Sequence, residues 1–310
     1  MVKLGVQYEI KTILGEGTYG KVFAGRCRYG SPCALKVFSG LHARVECQQE
    51  VQSYQFLDEK LNVKERRFSP MLLDADHCGE PRPWMVLALG RPSLTNRLGS
   101  GKLSPDMVSI VANQLQSALR ILHQQASFLH LDVKPSNCLW LEEIQLLQLC
   151  DLGMAEVQMS VSAQHQALGL KGHHGKVVEQ PRLQAYVTAL YRPPELFNLQ
   201  NAQLCTLQKL LSPAVDMWSY GCVVYEAATG KPLMKLAKPV NASAQRGVAE
   251  WCQHYKQMSG KGYQKMLGQN FKTCFPARLS VHDCWAEIIL NACAPEPMLR
   301  HWKQAVVKSV

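Results

Sequence analysis

From Tyr8 to about Val37, short apolar segments alternate with glycines along the chain. The segments YEIKTIL, KVFAGRC and PCALKVF contain β-branched and aromatic residues, and stretches with Gly or Pro separate them. This pattern is typical of strands joined by tight turns. The sequence therefore predicts an antiparallel sheet as the first part of the fold.

The spacing of apolar residues becomes helical between Glu46 and Leu57, where Val51, Tyr54 and Leu57 lie three residues apart. A short apolar segment, WMVLAL at 84–89, comes later and is followed by Gly, Arg and Pro. These two patterns predict one helix, then one buried strand, then a connector.

A long amphipathic helix is predicted from Ser104 onward, with Pro105 in its first turn. Further helix-like stretches lie at 216–229, 245–258 and 282–293. The N-terminal part is thus predicted to be rich in strands and the C-terminal part rich in helices, which is an α+β organisation. The apolar face of the long helix comprises Val108, Val111, Leu115, Leu119 and Leu122.

Composition bounds the class of protein. A chain of 310 residues with 47% hydrophobic content can bury a full core. It shows neither a signal-peptide-like start nor an apolar run long enough to span a membrane, so we expect an intracellular protein, cytoplasmic and/or nuclear, with no membrane partner. Twelve cysteines occur without a CxxC pair or a zinc-like spacing. We therefore predict no disulfide and no structural metal.

The net charge is positive, because 34 Lys and Arg less 24 Asp and Glu gives +10. Such a surface attracts anions in general, including ATP, acidic substrates, acidic partners and nucleic acid. No basic stripe with interleaved aromatic residues is visible in the sequence. A nucleic-acid-associated function is therefore a distant alternative, and we expect no nucleic acid partner.

A glycine-rich segment, GEGTYGKV at 15–22, lies between two predicted strands. Glycines let backbone amides approach phosphate oxygens without a side chain in the way. A dinucleotide-binding turn would lead into a helix, and here a strand follows. The motif alone is also typical of a plain hairpin turn.

A lysine on the next predicted strand, Lys36 in the segment CALK, is a candidate ligand of nucleotide phosphates. Two glutamates on the following helix could pair with it, Glu50 and, one turn earlier, Glu46. The V-x-x-Y-x-x-L pattern after Glu50 favours Glu50 as the partner.

The strongest chemical signal is the segment HLDVKPSN at 130–137, followed by DLG at 151–153. Phosphoryl transfer requires a carboxylate near the attacking hydroxyl, a cation near the transferred group and oxygen ligands for magnesium. Asp132 supplies the carboxylate and Lys134 the cation. Asn137 and Asp151 supply the oxygen ligands for magnesium.

This ordered set of motifs resembles the eukaryotic protein kinase family, from about Tyr8 to about Arg300. The segments TALYRPPE at 188–195 and DMWSYG at 216–221 continue the resemblance. It implies one kinase domain over 1–310, with a small β-rich N-lobe at about 1–87, a hinge at 88–91 and a larger α-helical C-lobe at 92–310. ATP would bind between the lobes of this bilobal fold.

The resemblance also assigns roles to individual residues. Asp132 is the implied catalytic base, with Lys134 beside it, and Asn137 and Asp151 are the implied ligands of Mg²⁺. The implied ATP-binding residues are Gly15, Glu16, Gly17, Thr18, Tyr19, Gly20, Val22, Ala34, Lys36, Glu50, Leu87, Ala88, Leu89 and Leu139. The implied structural residues of the catalytic loop and activation segment are His130, Gly153, Thr188, Arg192, Glu195, Asp216 and Arg300, with Arg300 as the salt-bridge partner of Glu195.

Lys134 and Thr188 are similar to their counterparts in serine/threonine kinases, and GEGTYGKV with YRPPEL resembles the cyclin-dependent and MAP kinase (CMGC) branch. The implied function is transfer of the ATP γ-phosphate to protein hydroxyls, with Mg²⁺, a protein substrate and a regulatory or docking protein. Branch resemblance suggests proline-directed specificity. The alternative is a pseudokinase that serves as a scaffold.

Leu131 departs from the family pattern, which has arginine at this position of the catalytic loop. That arginine clasps a phosphorylated activation loop, so we expect the loop at 151–195 to become active without phosphorylation. The candidate phosphorylation sites in this loop are Ser160, Ser162, Tyr186 and Thr188.

Overall fold

The computed structural model divides the chain into two compact units. The first unit comprises Met1–Leu94 and Asn137–Ala155, and the second comprises Thr95–Ser136 and Glu156–Val310. Residues 137–155, which follow the predicted hinge by about 45 positions, therefore group with the N-terminal sheet. The structure describes residues 3–4, 8–17, 19–76, 82–89, 93–99, 101–157, 187–196, 211–233, 289, 291–293 and 300.

The first unit is built on a six-stranded antiparallel sheet with the order β1-β2-β3-β4-β6-β5. The three strands predicted between Tyr8 and Val37 and the later one at 84–89 are confirmed as β2, β3, β4 and β6. The strands are β1 (Lys3–Leu4), β2 (Tyr8–Gly17), β3 (Gly20–Cys27), β4 (Pro32–Phe38), β5 (Leu72–Asp76) and β6 (Trp84–Ala88).

The cross-strand register gives the sheet two different faces. Val22 lies opposite Lys36, and Ala34 lies opposite Leu87. Since side chains alternate along a strand, these four residues share one face. The other face carries a buried apolar cluster of Cys33, Leu35 and Val86. The sheet thus presents four of the candidate nucleotide-binding residues together, on the face opposite this cluster.

Helix α1 (Ala43–Lys60) extends the helix predicted from Glu46 to Leu57 by about one turn at each end. Its buried residues recur at helical spacing and include Glu50, a charged residue. A four-residue helix, α2 (Val63–Arg66), follows, and Asn62 and Glu65 begin it with a reciprocal capping box. The buried face of α1 comprises Ala43, Cys47, Glu50, Val51, Tyr54 and Leu57.

A β-hairpin completes the first unit. Strand β8 (Cys138–Leu141) pairs antiparallel with β9 (Leu146–Leu149), and Cys138 lies opposite Leu149. Asn137 directly precedes β8 and Asp151 lies two residues after β9, and the Cys150 N–H donates to the Asn137 carbonyl at 2.9 Å. The hairpin therefore brings the backbones of both candidate metal ligands to its open end.

The second unit contains α4 (Pro105–Gln125) and α5 (Pro213–Thr229). The predicted start of α4 is confirmed, because the Ser104 hydroxyl accepts the Met107 N–H and the predicted apolar face is buried. The predicted helix at 216–229 is confirmed as α5, which begins three residues earlier and ends at Thr229, capped by Gly230 with a φ of 72°. The predicted helix at 245–258 lies outside the described residues.

Short strands, a short helix and 3₁₀ turns lie before and between these helices. Strand β7 (Phe128–Leu129) pairs with β10 (Glu156–Val157), and α3 spans Leu94–Leu98. No helix within the described ranges is both long and apolar enough to cross a bilayer. The 3₁₀ turns within the described residues are Pro135–Asn137, Glu142–Ile144, Ala189–Tyr191 and Pro194–Leu196.

The last glycine of the glycine-rich hairpin is fixed by sterics. Gly20 has a φ of 145°, and a Cβ added there would lie 2.0 Å from the Val37 carbonyl oxygen of the neighbouring strand. Gly20→Ala is therefore expected to destabilise the first unit by about 2 kcal/mol or more. Gly17→Ala is the matched control, because a Cβ there would meet no heavy atom within 4 Å. Thermal unfolding of both variants distinguishes them, and equal melting temperatures would contradict the steric argument.

Candidate active site

The first unit holds Lys36 between two carboxylates. Its ammonium donates to Glu50 Oε2 at 2.6 Å and to Asp151 Oδ1 at 2.8 Å. Strand β4 supplies the lysine and α1 supplies Glu50, so the ion pair ties the sheet to the helix. Of the two glutamates that the sequence left open, Glu50 makes this ion pair. The Lys36 ammonium therefore also contacts Asp151, whose side chain is 36% exposed.

Burial and neighbouring charges together raise the pKa values of both Lys36 and Glu50. Burial alone would lower the pKa of Lys36, but the carboxylates of Glu50 and Asp151 outweigh it and raise the pKa. Burial raises the pKa of Glu50 to about 7, against the opposing effect of the Lys36 ammonium. Lys36 therefore stays protonated, whereas for Glu50 the effect of burial exceeds that of the lysine and brings its pKa close to neutral.

The glycine-rich segment forms the end of the β2-β3 hairpin, with Gly17 opposite Gly20. Cβ atoms added at Gly15 or Gly17 would meet no heavy atom within 4 Å, so the backbone there is open to a ligand. Glu16 pairs with Lys21 at 3.3 Å through exposed side chains, which contributes little. The Tyr19 hydroxyl donates to the Met154 sulfur at 3.4 Å, and Thr18 lies outside the described residues.

The candidate adenine-binding residues belong to the same unit. Ala34 and Leu87 are cross-strand neighbours, and both are partly exposed. Leu139 bridges to Ser93, and Leu89 follows β6 directly after Ala88. Val22, Ala34 and Leu87 thus offer an apolar surface beside Lys36, while the contribution of the predicted hinge residues stays a prediction.

Asp151 and Asn137 offer the oxygen ligands that Mg²⁺ prefers. Asp151 keeps a partly exposed carboxylate beside Lys36, and Asn137 lies at the same end of the hairpin. Gly153 lies close by, and a Cβ there would be 3.1 Å from Glu50 Oε2, a tight contact that the carboxylate would have to relieve by a small shift. Within the described residues, no group of three or more His, Cys, Asp or Glu side chains could hold a metal. A carboxylate and an amide are oxygen donors of the kind that Mg²⁺ prefers, so the chemistry of the two residues fits the ion, and their binding of it stays a prediction.

The second unit holds Asp132 in a network with Lys134 and Thr188. The Lys134 ammonium donates to Asp132 Oδ2 at 2.5 Å and to Thr188 Oγ1 at 3.0 Å. Thr188 donates its hydroxyl and its N–H to Asp132 Oδ1, at 2.7 and 3.1 Å. Two chain segments more than fifty residues apart therefore meet at one carboxylate, as a base that receives a proton in a fixed orientation requires.

Asp216 on α5 holds the backbone of the segment that carries Asp132. Its Oδ2 accepts the His130 N–H and its Oδ1 accepts the Leu131 N–H, both at 2.8 Å. His123 Nε2 lies 2.8 Å from the same carboxylate, which is fully buried. Burial would raise the pKa of Asp216, but the hydrogen bond from His123 and the nearby histidines lower it. Asp216 therefore stays ionised and acts as a fixed acceptor.

Leu131 is fully buried and has a φ of 61°, which is unusual for a branched residue. A buried leucine offers no cation at the position where the family pattern has arginine. Independence from loop phosphorylation stays a prediction. Ser160, Ser162 and Tyr186 lie outside the described residues, and the hydroxyl of Thr188 is already bound to Asp132 and Lys134.

Glu195 and Arg300 form a bidentate ion pair in the second unit, with N–O distances of 2.5 and 2.8 Å. Arg300 also donates to the Ala214 carbonyl at 3.0 Å and lies over the Trp218 ring. This is the pair that the family resemblance implied. It fixes the end of the segment that begins at Thr188.

The backbone conformation of Val187 could not be predicted from the sequence. It has a φ of 59°, although it is β-branched, and it is fully buried. Arg192 donates to the Val187 carbonyl from Nε at 3.0 Å and from Nη2 at 2.8 Å. The guanidinium thus holds this carbonyl with two hydrogen bonds, directly before the threonine that contacts Asp132.

Comparison with known proteins agrees with this arrangement. The chain belongs to the protein kinase family, because residues 8–301 match the protein kinase domain. With the sheet and helices described above, this match confirms the predicted α+β protein kinase fold.

The chain is similar to proteins named as mitogen-activated protein kinases and serine/threonine-protein kinases. It is 28% identical over 240 residues to mitogen-activated protein kinase 15 of Xenopus laevis, covering 76% of this chain and 36% of that protein. It is 30% identical over 240 residues to mitogen-activated protein kinase KSS1 of Saccharomyces cerevisiae, covering 73% and 58%. It is 28% identical over 230 residues to serine/threonine-protein kinase 36 of Mus musculus, covering 73% of this chain and 15% of that protein. The chain thus spans only part of each relative.

Proposed function

We propose that the protein is an ATP-dependent protein serine/threonine kinase. The observation that carries the proposal is the network in which Asp132 contacts both Lys134 and Thr188. A network of this kind serves a reaction in which a hydroxyl loses a proton beside a developing negative charge. The family and its relatives support the same activity.

The residues of the first unit would bind the nucleotide. Lys36 offers the cation for the α- and β-phosphates, and the open backbone at Gly15 and Gly17 offers amides to them. Asp151 and Asn137 would hold Mg²⁺, which when bound neutralises phosphate charge. Glu50 acts indirectly, because it fixes where the Lys36 ammonium lies.

The residues of the second unit would act on the acceptor. Asp132 orients the substrate hydroxyl and accepts its proton as the transfer proceeds, and Lys134 stabilises the charge on the migrating phosphoryl group. The Thr188 hydroxyl donates to Asp132 and accepts from Lys134, so it fixes the positions of both side chains. Little covalent chemistry is asked of the protein, so positioning accounts for most of the rate enhancement.

We propose further that the residue after the phosphorylated Ser or Thr is proline. Arg192 already occupies the Val187 carbonyl, so that carbonyl cannot accept an N–H from a bound peptide. A peptide N–H left without an acceptor costs about 1 to 3 kcal/mol on burial, and proline has no such N–H. The substrate would therefore be a protein segment with Ser-Pro or Thr-Pro, brought by a docking or regulatory protein.

A peptide-array phosphorylation assay with labelled ATP and Mg²⁺ tests activity and specificity together. We expect labelling of Ser and Thr peptides, with proline preferred by roughly tenfold at the following position. Arg192→Lys, which loses the paired donors to Val187, should weaken that preference. Binding of Mg²⁺ and ATP without any transfer would support the scaffold alternative, and transfer that is indifferent to proline would contradict the specificity.

A further inference from the structure

Tyr54 contributes a polar contact that its place in an apolar helix face does not suggest. It lies on α1, one turn after Glu50, and its side chain is fully buried. Its hydroxyl oxygen accepts the backbone N–H of Asp151 at 3.3 Å. Burial raises the pKa of Tyr54 well above its usual value, so the hydroxyl keeps its proton. The contact is therefore a neutral hydrogen bond inside the core of the first unit.

Asp151 needs such support because of its backbone conformation. Its φ is 67°, in the left-handed region that residues other than glycine rarely adopt. A conformation of this kind costs about 1 to 3 kcal/mol and persists where its surroundings hold it in place. The peptide N–H that Tyr54 binds is on one side of the strained φ bond. This hydrogen bond thus acts on the torsion that decides where the carboxylate points.

Two successive turns of α1 therefore act on Asp151 in different ways. Glu50 acts on the side chain, through the Lys36 ammonium that contacts Asp151 Oδ1. Tyr54 acts on the backbone directly. The second contact does not pass through Lys36, so it should survive when the lysine turns to phosphate.

The Tyr54 ring is itself held in place. The Arg66 guanidinium lies 5.8 Å from its centre. Arg66 is fixed in turn by Asp58 at 2.5 Å and by the Ser69 carbonyl at 3.0 Å. The hydroxyl is therefore presented at a fixed position, as a group that positions another residue must be.

We propose that Tyr54 is a positioning residue that holds Asp151 ready to bind Mg²⁺ with the nucleotide, an inference that rests on the proposed function of Asp151. Helix α1 then governs metal binding through a tyrosine hydroxyl as well as through the Lys36–Glu50 pair. Displacement of α1 would loosen the metal ligand even with the ion pair intact.

Tyr54→Phe tests this inference, because it removes the hydroxyl and keeps the ring. Calorimetric titration should show ATP with Mg²⁺ binding about three to ten times more weakly than to the wild type, since one neutral hydrogen bond is lost. ATP with the chelator EDTA should bind both proteins equally. The Mg²⁺ concentration that gives half-maximal activity should rise by a similar factor, with KM for peptide unchanged.

Tyr8→Phe is the matched control. It also removes a tyrosine hydroxyl from the first unit, where the Tyr8 hydroxyl donates to Asp74 Oδ2 at 2.9 Å. It should lower thermal stability without changing the Mg²⁺ dependence. The inference fails if Tyr54→Phe leaves Mg²⁺-dependent ATP binding as in the wild type, or weakens ATP binding equally with and without the metal. Absence of Mg²⁺–ATP binding by the wild type would overturn the proposed function as well.

Discussion

Asp132→Asn is expected to lower kcat by about 10² to 10⁴, because the side chain keeps its shape and loses its ability to accept a proton. The Thr188 N–H and hydroxyl reach Asp132 Oδ1, and an asparagine oxygen can still accept from them, although the amide NH2 cannot accept the Lys134 ammonium as Oδ2 does. The segment should therefore stay in place while the proton acceptor is lost. Single-turnover transfer to a Ser-Pro peptide measures the chemical step directly.

Asp106→Asn is the matched control for this change. Asp106 lies exposed in the first turn of α4, so its replacement removes the same charge away from the network. It should leave kcat unchanged and cost at most about 1 kcal/mol of stability through the helix dipole. Affinity for Mg²⁺–ATP should be the same in both variants. An Asp132→Asn protein with the kcat of the wild type would remove Asp132 from the reaction.

Local patterns were enough to predict much of the fold. Strands β2, β3, β4 and β6 follow from alternating apolar residues between glycines, and α4 follows from its spacing and from Ser104. The motifs placed Lys36 on a strand and Glu50 on the next helix, and these two residues do pair. Each of these predictions rests on neighbours within about one element, where sequence spacing determines geometry.

Features that depend on backbone torsion or on distant contacts could not be predicted. Leu131 and Val187 have positive φ values that such side chains rarely adopt, and Asp151 has one that aspartate tolerates better. Distant residues bind the Leu131 and Asp151 N–H groups, whereas Arg192, five residues away, binds the Val187 carbonyl. The spacing on α1 identified Tyr54 as a packing residue, which it is. It carried no sign that the hydroxyl would meet a residue 97 positions away. A pattern reports which face a side chain lies on, and a contact needs the partner's position as well.

Lys36→Met should reduce phosphoryl transfer strongly and also destabilise the fold. The cation for the phosphates is lost, which we expect to reduce kcat/KM by on the order of 10² or more. The Glu50 carboxylate, 2% exposed, is left without its ion-pair partner. Removing one partner of a buried pair costs about 3 to 5 kcal/mol. Chemical denaturation near pH 8 measures this loss.

The stability that Lys36→Met loses should increase with pH, because it depends on the ionisation of Glu50. Burial already raises this pKa to about 7, and without Lys36 it rises further. Because the folded-state pKa lies above the unfolded value near 4.3, the protonated carboxyl favours folding and stability falls as pH rises through the folded pKa. Lys36→Met should therefore be markedly more stable near pH 5 than near pH 8.

The double variant Lys36→Met/Glu50→Gln separates the two effects of the lysine. It removes the unpaired charge, so it should regain most of the stability and lose the pH dependence while remaining inactive. Lys21→Met is the surface control, because the Lys21–Glu16 pair is exposed and should contribute less than about 1 kcal/mol. If the double variant were as unstable as Lys36→Met alone, the buried charge would not be the cause. If it recovered activity, Lys36 would not act on the phosphates.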